Sequence, residues 1–255
     1  MPFKLKPLSE QVLVVTGATS GVGLATAREA AKAGASVVLT ACDEAQLRRV
    51  SDELAAAGGR VHPVAADLSH PEGAAKVTRT AMARFGGLDA WVNTAGEGGH
   101  LAVVNGSEAA ADWLRAEGRS GAVINVGASP SDTKGFTDAL RVSLRRVKAP
   151  VSVSLVRRTG APQAVALAIL YALQHPVQDL SVGPRGRRLT AAEQAGLAVG
   201  MGALALAVAA AYLARGRIAR TTRPLLARAA RRPAWTQGLA ARGRSAATKL
   251  LKAPR

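Results

Sequence analysis

The stretch Thr16-Gly17-Ala18-Thr19-Ser20-Gly21-Val22-Gly23 places three glycines between positions 17 and 23. It stands where an apolar, β-branched run ends and a pattern of helical period begins, the setting in which backbone N–H groups can cradle a phosphate. Gly17, Gly21 and Gly23 keep side chains out of the way, Thr16, Ser20 and Val22 complete the turn, and the helix N-terminus adds a favourable dipole. Other chemistry is sparse. A single cysteine, Cys42, excludes an internal disulfide, and the four histidines, His62, His70, His100 and His175, lack metal-ligand spacing. No metal site is expected.

The elements that must position this turn are legible in the alternation of patterns. Strands are expected at 11–17, 35–41, 60–68, 88–96, 121–127, 150–156 and 179–183, with helices near 21–33, 43–57, 71–85, 107–117, 132–147 and 162–174. Strands apolar on both faces, alternating with Ala-rich helices, imply an α/β fold: a doubly wound, Rossmann-like parallel sheet of about seven strands. Its ligands belong at the carboxyl ends of the strands. A chain of 255 residues, 48% hydrophobic, can bury such a core and carry an appendage. The expected division is a nucleotide-binding domain at 1–188, a hydrophobic helix at 189–214 and a basic tail at 215–255.

With the turn, four motifs follow in order, and together they resemble the short-chain dehydrogenase/reductase family over roughly residues 8–183. TGATSGVG resembles the family's TGxxxGxG cofactor loop. AADLS puts Asp67 and Leu68 after the third strand, where the resemblance implies contact between an aspartate and an adenine ring. VNTAG, at 92–96, resembles the NNAG element; Asn93 is kept, Thr94 replaces the second asparagine, and Ala95 and Gly96 complete it. GAVINVG resembles the fifth strand, and GFTDALRVSL the helix after it. The resemblance therefore implies a nicotinamide dinucleotide cofactor. At the end of the second strand, an acidic residue would favour NAD, and an arginine would favour NADP. Ala41 removes the acid, Cys42 stands where NADP users often carry arginine, and the reading inclines toward NADP. Asp43 is expected to cap the next helix instead.

The family implies hydride transfer between the nicotinamide and a carbonyl or alcohol, with a Tyr-xxx-Lys pair moving the proton, a serine orienting the substrate and a helix asparagine supporting a water relay. Here the only tyrosines are Tyr171 and Tyr212. Lys134 can be aligned with the catalytic lysine, which sets Pro130 at the tyrosine position; in the preferred register both positions fall inside the compressed VGASPSD. The pair is absent either way. Ser129 is displaced by one from the serine position and precedes a proline, where it more often makes a turn. Asn105 is the candidate for the helix asparagine, although as an Asn-Gly pair it reads better as a turn. With the short passage after strand six, these contractions all face the nicotinamide. The expected function is an NAD(P)-dependent oxidoreductase with impaired hydride transfer; the alternative is a catalytically inactive NAD(P)-binding protein held at a membrane.

That alternative comes from the C-terminal region. Ala195 to Ala214 is an uncharged run of twenty residues, nine of them alanine and four leucine. It has the length of a membrane span, and Gly196 and Gly200 have the spacing of close helix pairs; a buried or self-associating soluble helix is the other reading. Arg215 to Arg255 carries twelve Lys or Arg and no acid, out of a net charge of +17. Residues 195–255 thus suit an anionic membrane surface, or serve only as a solvated tail. Spanning would place those charges outside, against the positive-inside tendency, so association without spanning is favoured. Trp235, among arginines, fits a membrane interface or base stacking, but no recognition motif supports nucleic-acid binding. The amino terminus has no apolar run ahead of strand one, so the first domain is expected in the cytoplasm. The altered helices beside the site leave a homo-oligomer open.

Overall fold

The computed structural model describes residues 5–94, 99–127, 130–157 and 160–181. The hydrophobic helix and basic tail expected from residue 189 onward lie outside the described residues, as do Ala95, Gly96 and Ser129. Among the described residues no helix is long and apolar enough to cross a membrane.

Seven strands, β1 (Val12–Thr16), β2 (Ser36–Ala41), β3 (Arg60–Ala65), β4 (Ala90–Thr94), β5 (Gly121–Gly127), β6 (Val151–Arg157) and β7 (Asp179–Ser181), form one sheet. Every pairing is parallel and the spatial order is β3-β2-β1-β4-β5-β6-β7. Six helices make the crossovers: α1 (Gly21–Lys32), α2 (Glu44–Ala56), α3 (Pro71–Phe85), α4 (Gly99–Ala116), α5 (Pro130–Arg146) and α6 (Pro162–Ala172). Helices α1 and α6 pack together, whereas α3, α4 and α5 pack in succession on the opposite face. Both faces are therefore covered, which is why the central strands are continuously apolar. On the α3–α5 face, alternate strand residues Val12, Val14, Val38, Val64, Trp91, Val123 and Val153 meet Ala74, Val77, Ala81, Ala110, Ala111 and Leu144 from the helices.

The chain order reverses between β1 and β4, and in doubly wound sheets the ligand crevice opens at such a switch point. Ladder pairing across this seam runs only from Leu13↔Ala90 to Val15↔Val92. Side chains fasten both of its ends. At the amino end the Asp89 carboxylate accepts from Val12 N at 2.9 Å and pairs with Lys6 at 2.8 Å and Arg119 at 3.2 Å. At the carboxyl end Thr94 Oγ1 donates to Thr16 O at 2.6 Å, and Thr94 N donates to Thr16 Oγ1 at 3.0 Å.

The largest departure from the sequence expectation is α4, which starts at Gly99 where a helix was expected only from 107. Asn105-Gly106 is therefore no turn and lies in mid-helix. Gly106 is there because the helix rests directly on β4: a Cβ would stand 2.6 Å from Trp91 Nε1 and 2.7 Å from Asn93 Oδ1. The dipeptide signals close packing that local turn propensity cannot distinguish from a bend. Strand β3 ends at Ala65, earlier than the expected residue 68.

Candidate functional site

The turn after β1 takes the shape its glycines permit. Gly17 and Gly21 have φ of 59° and 52°, in the left-handed region that favours glycine. At Gly21 an added Cβ would meet nothing within 4 Å, so the backbone faces open space. Gly23 is needed for the opposite reason, since a Cβ there would fall 2.1 Å from Gly17 O, where α1 packs onto the turn. Ser20 is the N-cap of α1 but makes no side-chain capping hydrogen bond, leaving its hydroxyl and the first helical N–H groups to an incoming anion. Thr16, Gly17, Thr19 and Ser20 line the crevice; Val22 is buried on α1 and can offer only its N–H.

The crevice continues over the ends of β2 and β3, where Thr40, Ala41, Cys42, Gln46, Ala66 and Leu68 form its wall. That wall carries no formal charge. Thr40 is fully buried, yet its Oγ1 has no hydrogen-bond partner among the described residues, an orphaned polar group on a ligand-sized wall. Asp43 caps α2 as expected, its Oδ1 accepting from Gln46 N at 2.9 Å. Asp67 is exposed and off the wall; its Oδ1 accepts from Ser69 N at 2.8 Å, and the hydrogen bonds from Ser69 hold its carboxyl below the usual range. Leu68 is held from behind, with Asn105 Nδ2 of α4 donating to Leu68 O at 2.9 Å. Asn105 thus fixes the loop that carries Leu68 on the crevice wall, a link between α4 and the β3–α3 loop that sequence spacing does not reveal.

An uncharged wall, a bare glycine turn and an uncapped helix end meet at the topological switch point, where doubly wound sheets bind their ligands. The family model described as short chain dehydrogenase matches residues 11–140. The chain belongs to the short-chain dehydrogenase family. An uncharacterized oxidoreductase, YxnA, of Bacillus subtilis is 32% identical over 246 residues, covering 73% of this chain and 69% of that protein. An uncharacterized oxidoreductase of Mycobacterium tuberculosis is 43% identical over 89 residues, and there the match spans 35% of this chain and only 34% of the relative. Among solved structures, a metagenomic short-chain oxidoreductase in complex with NADP superposes with a TM-score of 0.61 at 29% identity, covering 69% of this chain and 98% of that one. A short chain dehydrogenase from Mycobacterium smegmatis gives 0.62 at 25% identity, with 71% and 95% covered.

At the β4 end of the crevice of this short-chain dehydrogenase, Asn93 is a buried lining residue. It donates through Nδ2 to Asn125 Oδ1 at 2.9 Å and to Ser107 Oγ at 3.0 Å, and accepts from Trp91 Nε1 at 2.7 Å. Asn125 Nδ2 in turn donates to Thr137 Oγ1 at 3.1 Å, so one satisfied network ties β4 and β5 to α4 and α5. Single polar residues inside the apolar runs AWVNT and GAVINVG were its signal. Only residues 128–129 separate β5 from α5, the close join that the sequence implies. Lys134 stands near the start of α5 and forms an ion pair with Asp138. Asp138 also accepts from Arg141 Nη1 at 2.7 Å, and Arg141, buried, donates to Val153 O at 2.9 Å and Asp179 Oδ1 at 3.0 Å. Lys134 is thereby part of an ion-pair chain running along α5 to the β6–β7 edge. Tyr171 is buried on α6, stacked on His175 at 4.5 Å between ring centroids, on the helix that packs with α1.

Proposed function

We propose that this chain is an NAD(P)-binding oxidoreductase of the short-chain type in which hydride transfer to or from a carbonyl or alcohol is impaired. A nicotinamide dinucleotide, when bound, would donate hydride to a carbonyl in its reduced form or accept it from an alcohol in its oxidised form. The observation that carries the reading is the crevice itself: a glycine turn open at Gly21, an uncapped Ser20 and the unpartnered Thr40 hydroxyl fit a diphosphate-linked adenosine. Thr16, Gly17, Ser20, Gly21, Val22 and Gly23 would hold the diphosphate, with Leu68 and Thr40 beside the adenosine. Asn93 lines the crevice and Asp67 shapes the loop beside it, and Ala95 and Gly96 are assigned to the same binding.

Ala41 and Cys42 put neither an acid nor a guanidinium beside the ribose. A 2′-phosphate is then neither repelled nor paired, which favours NADP over NAD by a small margin. Without a tuned phenol the proton moves less readily, and a missing general acid costs about a hundred- to ten-thousand-fold in rate. Ser129 and Lys134 are the remaining polar groups proposed on that side, whereas Asn105 is committed to Leu68 O. Titration of the purified chain with NADPH and NADH, followed by a panel of carbonyls and alcohols, tests this reading. Binding of both dinucleotides with slow reduction is expected, and failure to bind either overturns it.

A second reading rests on the sequence of 195–255: a nucleotide-binding protein without turnover, held at an anionic membrane from its cytoplasmic side by the uncharged run and basic block. Binding without turnover, together with co-sedimentation with phosphatidylserine vesicles that is lost on deleting 190–255, would favour it. A homo-oligomer belongs to either reading.

A further inference from the structure

Arg157 is the last residue of β6 and is exposed at the carboxyl edge of the sheet, where doubly wound folds bind their ligands. Its partners in register are Gly127 at the end of β5 and Ser181 at the end of β7, so small residues flank it on both sides. Strand alternation sets it on the same face as Val153, which packs against the α3–α5 layer. The acids that α5 and β7 bring to this end of the sheet are already engaged, Asp138 by Lys134 and Arg141, and Asp179 by Arg141. Those two acids and two bases balance. Among the described residues the Arg157 guanidinium has neither an ion pair nor a hydrogen bond. In sequence, the segments leaving β6 and β7 carry no acid from 158 to 178 or from 180 to 192, while Arg158, Arg185, Arg187 and Arg188 fall within them; the segment leaving β5 carries Asp132 and Lys134. The surplus is positive.

We propose that Arg157 is the anion-binding residue of the substrate site, and that the carbonyl or alcohol handled by this chain carries a carboxylate or a phosphate. The inference rests on the crevice being the dinucleotide site. With the adenosine against the uncharged β2–β3 wall, the reacting end of the dinucleotide lies toward β5, and the second reactant enters from the β5–β6 side. Strand β6 stands two strand spacings from β4, about 10 Å. Gly127, between them, puts no side chain in the way, so a guanidinium reaching back across β5 shortens that gap. The anionic group and the carbonyl of the substrate are then only a few bonds apart. Arginine suits the task because its planar fork meets two oxygens of a carboxylate or phosphate at once. Its part is to hold and orient the substrate, and it takes no part in the hydride step itself.

The test measures binding without turnover: the full chain, saturated with oxidised NADP so that a ketone cannot be reduced, is titrated calorimetrically. Levulinate is compared with methyl levulinate, the same ketone without its charge, and acetonyl phosphate with methoxyacetone. In at least one pair the charged ketone is expected to bind about tenfold more tightly or better, and the pair with the larger ratio distinguishes carboxylate from phosphate. Arg157→Ala is expected to abolish that ratio while leaving NADP affinity and the denaturant midpoint unchanged, and Arg157→Lys to keep part of it. Equal affinity within both pairs, or a ratio that survives Arg157→Ala, overturns the inference while the proposed function stands. A loss of NADP affinity in Arg157→Ala assigns the residue to the dinucleotide and likewise overturns it. A wild type that binds neither NADPH nor NADH overturns the reading of the crevice, and the substrate site with it.

Discussion

Gly23 shows how one missing methyl group can hold a site together. Its α-carbon faces Gly17 O and Thr16 O so closely that a Cβ would lie 2.1 and 2.8 Å from them, and both are backbone atoms that cannot swing aside. Gly23→Ala should push α1 off the turn, destabilise the chain by about 1–3 kcal/mol and weaken NADPH binding more than tenfold. Denaturant midpoints and a cofactor titration on the same variant check both effects, and unchanged affinity would contradict the assignment of the turn. Gly106 poses a contest of magnitudes. Alanine is the better helix former by about 1 kcal/mol, but its Cβ would press on Trp91 Nε1 at 2.6 Å inside a filled network. Overpacking costs about 1–3 kcal/mol, so Gly106→Ala should lower stability despite its propensity. A higher denaturant midpoint would show that α4 can slide away from β4.

Among the elements, α5 carries the clearest electrostatic signature. The hydrogen bond from Lys134, and after it the positive charges of Lys134 and Arg141, hold the Asp138 carboxyl below the ordinary carboxylate value. A carboxylate whose folded pKa is depressed stabilises the fold above its unfolded pKa, and that contribution disappears as pH falls through the folded value. Wild type should therefore exceed Asp138→Asn in stability at neutral pH, and the two should converge in acid as the pH falls through the depressed folded-state value. Unfolding curves across that range check the convergence; a gap that persists in acid would locate the effect in packing. The helices also show what the sequence could reveal. Helix α3 falls at the expected 71–85, because Pro71 in its first turn and the left-handed Gly86 C-cap mark its ends with local chemistry. The first two turns of α4 carry no such mark. Gly99, Gly106 and the polar Asn105 and Ser107 look like loop composition, and their helical state is imposed by tertiary contacts with Trp91, Asn93 and Leu68. The glycine turn was legible because its backbone demands are local. Arg141 was not, because its partners on β6 and β7 are brought to it only by the completed fold.

For the whole molecule, binding and stability are linked. A ligand that binds only the folded chain stabilises it by about 2.7 kcal/mol at a hundred times its dissociation constant. For a domain of this size that corresponds to roughly 5–11 °C in thermal midpoint. Thermal unfolding in saturating NADPH should show such a rise, and an unmoved midpoint would argue against a preformed crevice. Charge acts at the same scale: the block from Arg215 to Arg255 should make vesicle binding fall as salt rises, and salt-independent binding would assign the association to the apolar run alone. The Thr16–Thr94 clasp carries a kinetic meaning. Its partners are 78 residues apart in the chain, with α1, β2, α2, β3 and α3 between them. Contacts of such long range close late, because the loop entropy is lost before the pairing compensates it. The seam that opens the crevice is thus expected to close after the local helical turns between its partners, an order that pulsed hydrogen exchange at Thr94 N checks. A chain that has stalled before this pairing would have most of its helices and no place to hold a nucleotide, so cofactor capture would report the closure of the seam.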